Sequence, residues 1–450
     1  MKATLTDLRR DALAIFHAAL KAADAGEAVR RNLRIGAGVI HIGQRGDAHV
    51  TLRSEDFDRI FLVAAGKASV AMAVAIETQF GKRLSGGVVI TKHGHQTARL
   101  QSLPVHEAGH PIPDEAGVAG SRAVVELLRE LNAGDLLLVA ISGGASALLI
   151  APEEPVTLRA KQQTTQLLLR AGGDISELNA VRKHLSGLKG GGLAQLAYPA
   201  TVVNLMLSDV IGDPPDVIGS GPTAPDRSTY ADALAVLDRF DLRGRVPAAV
   251  RERLEQGMRG ECAETPKPGD PIFKNVHNVL IGSNRLALQA ARKEAKRRGY
   301  RTIVLSSTLA GETREVAGVH AQILREMRES GNPISVPACV LAGGETTVTV
   351  RGGGKGGRNQ EFALAGAIGI DGLQNVVLLS GGTDGSDGPT DATGAIATGD
   401  TVRRAKKMSL EAADHLKRND AYPFFEALGD LVKTGPTGTN VMDIHVLLAR

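Results

Sequence analysis

Residues 135–148 read DLLLVAISGGASAL, and the reading of this stretch decides the fold. Leu136 to Ile141 form an unbroken apolar run, of strand length, that opens directly into Gly143-Gly144 and a small-residue segment. A strand apolar at every position is covered on both faces, and a glycine turn leading into a helix is the joint of an α/β sheet. The same grammar recurs along the chain. RIFLVAAG (59–66) leads into KASVAMAVAIETQF, and GGVVITKHGH precedes the helical DEAGVAGSRAVVELLREL. TVVNLMLSD and HNVLIGS read as strands, with NRLALQAARKEAKRRGY as the next helix. RTIVLSS, a helix to about 328, PACVLAGG, TTVTVR, a helix from about 357 and NVVLLSGG complete the alternation. The expected class is α/β, with largely parallel sheets.

At 450 residues the chain exceeds one ordinary core, so two domains are expected. The most loop-like stretch, MRGECAETPKPGDPIFKN (258–275), puts the boundary near it, giving 1–260 and 261–450. Formal charge is only +4, aromatics are 3% and Trp is absent, which argues against stacking platforms for nucleic acid. Cys262 and Cys339 are the only cysteines and lie far apart, so a disulfide framework is excluded and a reducing cytoplasm is expected. The N-terminal MKATLTDLRRDALAIFHAALKAAD reads as an amphipathic helix without the apolar core of a signal peptide. No run reaches the ~18 apolar residues of a membrane span. A homodimer is left open.

In open α/β sheets, ligands sit beyond the carboxyl ends of strands, which directs attention to the polar residues there. Lys67, in GKAS, stands at a helix start where the helix dipole is already positive; an anion would relieve that, and an exposed lysine is the plain alternative. Ser142-Gly143-Gly144-Ala145-Ser146 offers backbone N–H groups and two hydroxyls to an anion. The segment LNAVRKHLSGLKGGGL carries Arg182, Lys183, His184 and Lys189 into a triple glycine, and Asp209, Asp213 and Asp216 follow the next strand, suited to Mg²⁺ or a general base. RGGGKGGRNQEFAL (351–364) supplies Lys355, Arg358 and Asn359, and GGTDGSDGPTD supplies Asp384, Asp387 and Asp391. A cationic loop and an acidic loop together suit a metal–phosphate site. His110, beside Pro111 and Pro113, reads as a hydrogen-bonding loop residue.

AAGKAS, GHPIPDEAG, ISGGASALL, LNAVRKHLSGLKGGGLA, SDVIGDPPDVIGSGPTAPD, GGETTVTVRGGGKGGRNQEFAL, GTDGSDGPTDATGA and TGPTGTNVMDIHVLL occur in this order. Over residues 5 to 450 the chain resembles the glycerate 2-kinases that carry a C-terminal MOFRL domain, a family in which some members bear a hydroxypyruvate reductase label. The resemblance implies phosphorylation of D-glycerate at its 2-hydroxyl by ATP with Mg²⁺. It also implies a Rossmann-like domain, a second α/β domain (MOFRL) and an active site in the interdomain cleft. It assigns catalytic roles to Lys67 and Arg358. From the chemistry, Asp209 is the expected base or metal ligand, with Asp384 and Asp387 as further metal candidates. Ser142, Gly143, Gly144, Ser146, Arg182, Lys183, Lys189, Lys355 and Asn359 are the expected substrate- or phosphate-binding set.

Two other readings compete. Gly352, Gly354 and Gly357 satisfy G-x-G-x-x-G, which would suit an NAD(P)H-dependent hydroxypyruvate reductase. The following strand ends in Ser380, however, where that fingerprint needs a ribose-binding acid. A non-catalytic metabolite-binding protein would leave the many acid–base groups without a task. No P-loop Gly-Lys-Ser/Thr occurs, so a kinase here is not of Walker type.

Overall fold

The structure, a computed structural model, describes residues 4–44, 49–96 and 98–450. It divides into two compact units, one of Ala25–Ile281 and one joining the N-terminal segment through Asp24 to Gly282–Arg450. The division therefore falls at 281/282 and not at 260/261. The proline-rich stretch is an internal connection: it runs from the helix Ala248–Met258 to a strand at Val276–Gly282 that belongs to the first sheet.

In the unit Ala25–Ile281, β1 (Leu33–Gly36), β2 (Val39–Ile42) and β3 (Val50–Arg53) form an antiparallel meander that the apolar-run reading passes over. The main sheet is built from β4 (Arg59–Ala65), β5 (Leu84–Lys92), β6 (Val105–Ala108), β7 (Asp135–Ile141), β8 (Thr201–Leu207) and β9 (Val276–Gly282). Their order is β6-β5-β4-β7-β8-β9, and β4 pairs in parallel with both β5 and β7. The β5–β6 and β7–β8 pairs are parallel too. All seven residues of β7 are buried, as a central strand requires. From β4 the chain builds outward to β5 and β6, then returns to lay β7 on the other side. The turns after β4 and β7 thus flank the switch point where such sheets bind ligands. A separate apolar core joins the helices Leu158–Arg170, Ile175–His184, Tyr230–Arg239 and Ala248–Met258.

The other unit contains β10 (Arg301–Leu309), β11 (Ala338–Gly344), β12 (Val376–Gly382), β13 (Gly394–Thr398), β14 (Leu431–Val432) and β15 (Asp443–Ala449), ordered β10-β11-β15-β12-β13-β14. Here the expectation of a largely parallel sheet fails. The β10–β11 pair is parallel, but β15 enters between β11 and β12 and runs antiparallel to both, and β13 and β14 continue antiparallel. Burial on both faces selects Val, Ile and Leu whichever way a strand runs, so the apolar runs carry no direction. TTVTVR is not a strand: Thr347 makes one bridge to Glu312, and Val350 is 74% exposed.

The helix Leu5–Ala23 begins with a capping box between Thr4 and Asp7. It packs on the helix Asn284–Arg297 and on β12 and β15. Its Phe16 ring lies against Gly381, where a Cβ would come within 2.6 Å. Asp11, buried, accepts from Arg298 at 2.6 Å and from the Tyr300 hydroxyl at 2.7 Å. Apolar contact and buried charge together tie the N-terminal helix to the C-terminal half. Among the described residues no helix is long and apolar enough to cross a membrane.

Candidate active site

The turns after β4 and β7 are laced together. Ser142 N–H donates to Ala65 O at 3.0 Å, Lys67 N–H to Gly143 O at 2.9 Å, and Ala68 N–H to Ser142 Oγ at 3.1 Å. Gly66 has φ +129, and a Cβ there would come within 2.2 Å of Ser142 Oγ, so only glycine lets the turns approach this closely. The expected hydroxyl donor Ser142 is therefore a buried brace between the turns.

The Gly143-Gly144 turn sits between unlike groups. A Cβ on Gly143 would come within 2.1 Å of the Asp209 carboxylate; one on Gly144 would meet the His110 ring at 2.9 Å and Lys67 Cγ at 3.4 Å. Lys67, His110, Gly143, Gly144 and Asp209 thus come together at the switch point. The N–H groups of Gly143 and Gly144 have no acceptor among the described residues, nor has the half-buried Lys67 ammonium a hydrogen bond or ion pair there. His110 is the member that sequence reasoning set aside. Burial, then the charges of Lys67, Lys92 and His95, push its pKa down to about 4, so it stands as a neutral imidazole. The signal was present in its place just past the carboxyl end of a strand, the short and half-polar β6.

Of the other expected binding residues in this unit, Ser146 Oγ lies 2.9 Å from Ser220 Oγ, and Ser146 O accepts from Lys189 Nζ at 2.8 Å. Lys189 is buried and also bonds Leu149 O; burial and the nearby Arg182 bring its pKa down to about 7. Lys183 is buried in an ion pair with Asp226 at 3.1 Å. The triple glycine serves the chain itself, its N–H groups donating to Ser220 O, Gly221 O and Lys189 O.

The loop Arg351–Gly357 of the other unit turns its donors inward. The N–H groups of Arg351 and Gly352 go to Asn419 Oδ1, that of Gly354 to Arg418 O, and that of Lys355 to Asp420 Oδ1. Cβ atoms on Gly352, Gly354 and Gly357 would come within 2.5 Å of Arg418 O, 2.5 Å of Asp420 Cβ and 2.3 Å of Asp387 Cγ. The G-x-G-x-x-G spacing thus records close packing against residues 387 and 418–420, not a pyrophosphate cradle. Lys355 Nζ lies 4.2 Å from the centre of the Tyr422 ring.

Arg358 opens the helix Arg358–Gly369 and makes a bidentate pair with buried Asp443, Nε to Oδ2 at 2.6 Å and Nη2 to Oδ1 at 3.1 Å, with Glu345 3.0 Å from Nη1. That pairing outweighs burial and raises its pKa. Asn359 Nδ2 donates to Asp443 at 2.9 Å and its Oδ1 accepts from Ser380, which in turn lies 2.9 Å from His445 Nδ1. Both oxygens of Asp387 accept helix N–H groups, from Asn359 at 3.0 Å and Gln360 at 2.8 Å. Burial raises the pKa of Asp387 to about 6, those N–H bonds opposing it and Asp443 adding to it. Asp384 Oδ1 accepts from Ser386 N–H at 3.1 Å. Asp443 and Glu345 were missed from sequence; a carboxylate heading the buried strand β15 was the available sign. No group of three or more His, Cys, Asp or Glu side chains among the described residues is placed to hold a metal ion.

Comparison with known proteins fits this geometry. Residues 11–255 match DUF4147, a domain of unknown function, and residues 338–443 match the MOFRL family. The D-glycerate 2-kinase of Thermotoga maritima is 43% identical over 396 residues, which is 88% of this chain and 92% of that protein. The chain belongs to the glycerate 2-kinase family. A solved glycerate kinase structure from Thermotoga maritima superposes with a TM-score of 0.88 at 39% identity, covering 99% of this chain and 100% of that one. A relative from Agrobacterium vitis, provisionally named hydroxypyruvate reductase, is 41% identical over 87% of this chain and 99% of its own length.

Proposed function

We propose that the protein is an ATP-dependent kinase that phosphorylates D-glycerate at its 2-hydroxyl, releasing 2-phosphoglycerate and ADP. The observation that carries this reading is the likeness, over most of both chains, to a protein named D-glycerate 2-kinase. The chemistry at the switch point supports it. To one turn Lys67 brings a cation, and Gly143 and Gly144 bring two N–H groups, none with a partner among the described residues. Both would stabilise negative charge on a transferring phosphoryl group. The 2-hydroxyl oxygen attacks the γ-phosphorus, the bond to the ADP oxygen breaks, and the hydroxyl proton passes to a carboxylate, for which we assign Asp209. Arg358, held by Asp443, is assigned to the same reaction.

Mg²⁺, when bound, would supply positive charge to offset that of the nucleotide phosphates. Such an ion takes one or two protein carboxylates and fills its remaining positions with phosphate and water, so a pre-formed protein cage is not needed. Of the carboxylates considered, Asp387 suits that part least, because its two oxygens already cap a helix. The two unpaired thiols, Cys262 and Cys339, lead us to place the protein in the reducing cytoplasm.

The Agrobacterium vitis name favours a second reading, NAD(P)H-dependent reduction of hydroxypyruvate. One assay divides the two. Purified protein with D-glycerate, ATP and Mg²⁺ is expected to release ADP with an equal amount of 2-phosphoglycerate. Absence of ADP, with NADH or NADPH consumed on hydroxypyruvate, would falsify the kinase reading.

A further inference from the structure

Glycerate carries a carboxylate as well as the hydroxyl that is phosphorylated, so its kinase must hold two separated anionic groups. Lys67 answers to one of them. The unit Ala25–Ile281 holds another cation without a counter-charge: Arg182, half-buried on the helix Ile175–His184, has no hydrogen bond or ion pair to its guanidinium among the described residues. Its surroundings make this costly. Lys161 and Lys189 are buried nearby, and among the described residues their ammonium groups hydrogen-bond to neutral carbonyls, Leu185 O for the first and Ser146 O and Leu149 O for the second. Three cations therefore share a poorly hydrated region, and burial depresses the pKa of each. The one carboxylate acting on Lys161 among the described residues is Glu153, which also pairs with Arg253; Arg182 itself has none there, so the cluster calls for an anion from outside.

A second observation shows where that anion would sit. Asn179 is 3% exposed, and its amide nitrogen has no hydrogen-bond partner among the described residues. It lies three residues before Arg182, so both side chains share one helix face. The same Asn179 links that face to the glycine turn: Ser220 Oγ is 3.1 Å from Asn179 Oδ1 and 2.9 Å from Ser146 Oγ. A buried amide donor without an acceptor, beside a guanidinium without a counter-ion, forms a donor set for one carboxylate. Lys183 and Lys189 are spent on Asp226 and on carbonyls, and Arg182 remains.

We infer that Arg182 and Asn179 bind the carboxylate of the acceptor substrate, which leaves Lys67 and the Gly143-Gly144 turn to the phosphoryl group. This rests on the reading of the protein as a D-glycerate kinase. It makes Arg182 the residue that separates a hydroxy acid from a neutral polyol, because an uncharged substrate would leave the guanidinium buried and unpaired.

The test is steady-state kinetics of wild type, Arg182→Met and Arg182→Lys with D-glycerate and with its uncharged methyl ester, ATP being varied separately. Arg182→Met should raise KM for D-glycerate on the order of 10- to 100-fold, the worth of hydrogen bonds to a charged group. The KM for ATP should change by less than about twofold, since uniform binding of the other substrate is untouched. The preference of wild type for acid over ester should collapse. Arg182→Lys, which keeps the charge and loses the fork, should fall between and guards against a variant that does not fold. An unchanged KM for D-glycerate in either variant, or an equal loss for acid and ester, overturns the inference while the kinase reading stands. Wild type that releases no ADP overturns the kinase reading itself, and this inference with it.

Discussion

Gly143-Gly144 and the glycines of Arg351–Gly357 both stand ahead of a helix with a lysine or arginine close by. In the first turn two N–H groups and the Lys67 ammonium meet no acceptor among the described residues. In the second, four N–H groups are already bonded to Asn419, Arg418 and Asp420, and Arg358 is clasped by Asp443 and Glu345. Spacing cannot tell these apart. What separates a ligand-binding turn from a packed one is whether its donors are left over once the chain has folded.

That comparison can be broken by experiment. The largest effect is expected at the committed end. Arg358→Ala should lower kcat by ~10² or more and also cost stability, about 3 kcal/mol, because buried Asp443 loses its partner. A turnover loss with an unchanged denaturation midpoint would mean that the pair is not structural. Asp443→Asn, which keeps the shape and removes the charge, should recover part of that stability when combined with Arg358→Ala. A double-mutant cycle checks it, and strict additivity would contradict the coupling.

A smaller effect separates the loop's glycines. Gly357→Ala puts a methyl against Asp387 and should destabilise by about 1–3 kcal/mol, whereas Gly353→Ala meets nothing within 4 Å and should stay within about 0.5 kcal/mol. Equal midpoints in chemical denaturation would show that close packing is not why the loop is glycine-rich.

The first sheet was legible because its strands are buried on both faces and their glycine turns fall in register with the helices, as at Gly66 and Gly143. The second sheet was half legible. Its strands read correctly as PACVLAGG and NVVLLSGG, but direction and neighbours depend on β15, which pairs over 90 residues from β11. At the candidate site, Lys67 and the Ser142–Ser146 turn stood out through helix-dipole and glycine arguments that act locally. Asp443 and the ties of Lys183 and Lys189 depend on partners distant in sequence, which no local pattern displays.

The smallest effect is the titration of His110. Its pKa is lowered from 6.5 to about 4 in the folded chain, so the native state resists its protonation. The stability this lends is whole above the unfolded value near 6.5 and drains away as pH falls toward about 4. His110→Gln should therefore flatten that part of the midpoint-against-pH curve; an unaltered acid limb would show that His110 is not held neutral.

The most direct test of the account is Lys67→Ala, with kcat and the thermal midpoint measured side by side. A cation left over after folding should take turnover with it and leave stability alone: a kcat loss of ~10² or more with a midpoint within about 2 °C of wild type. Near-wild-type turnover, or a fall in midpoint as large as that of Arg358→Ala, would contradict it.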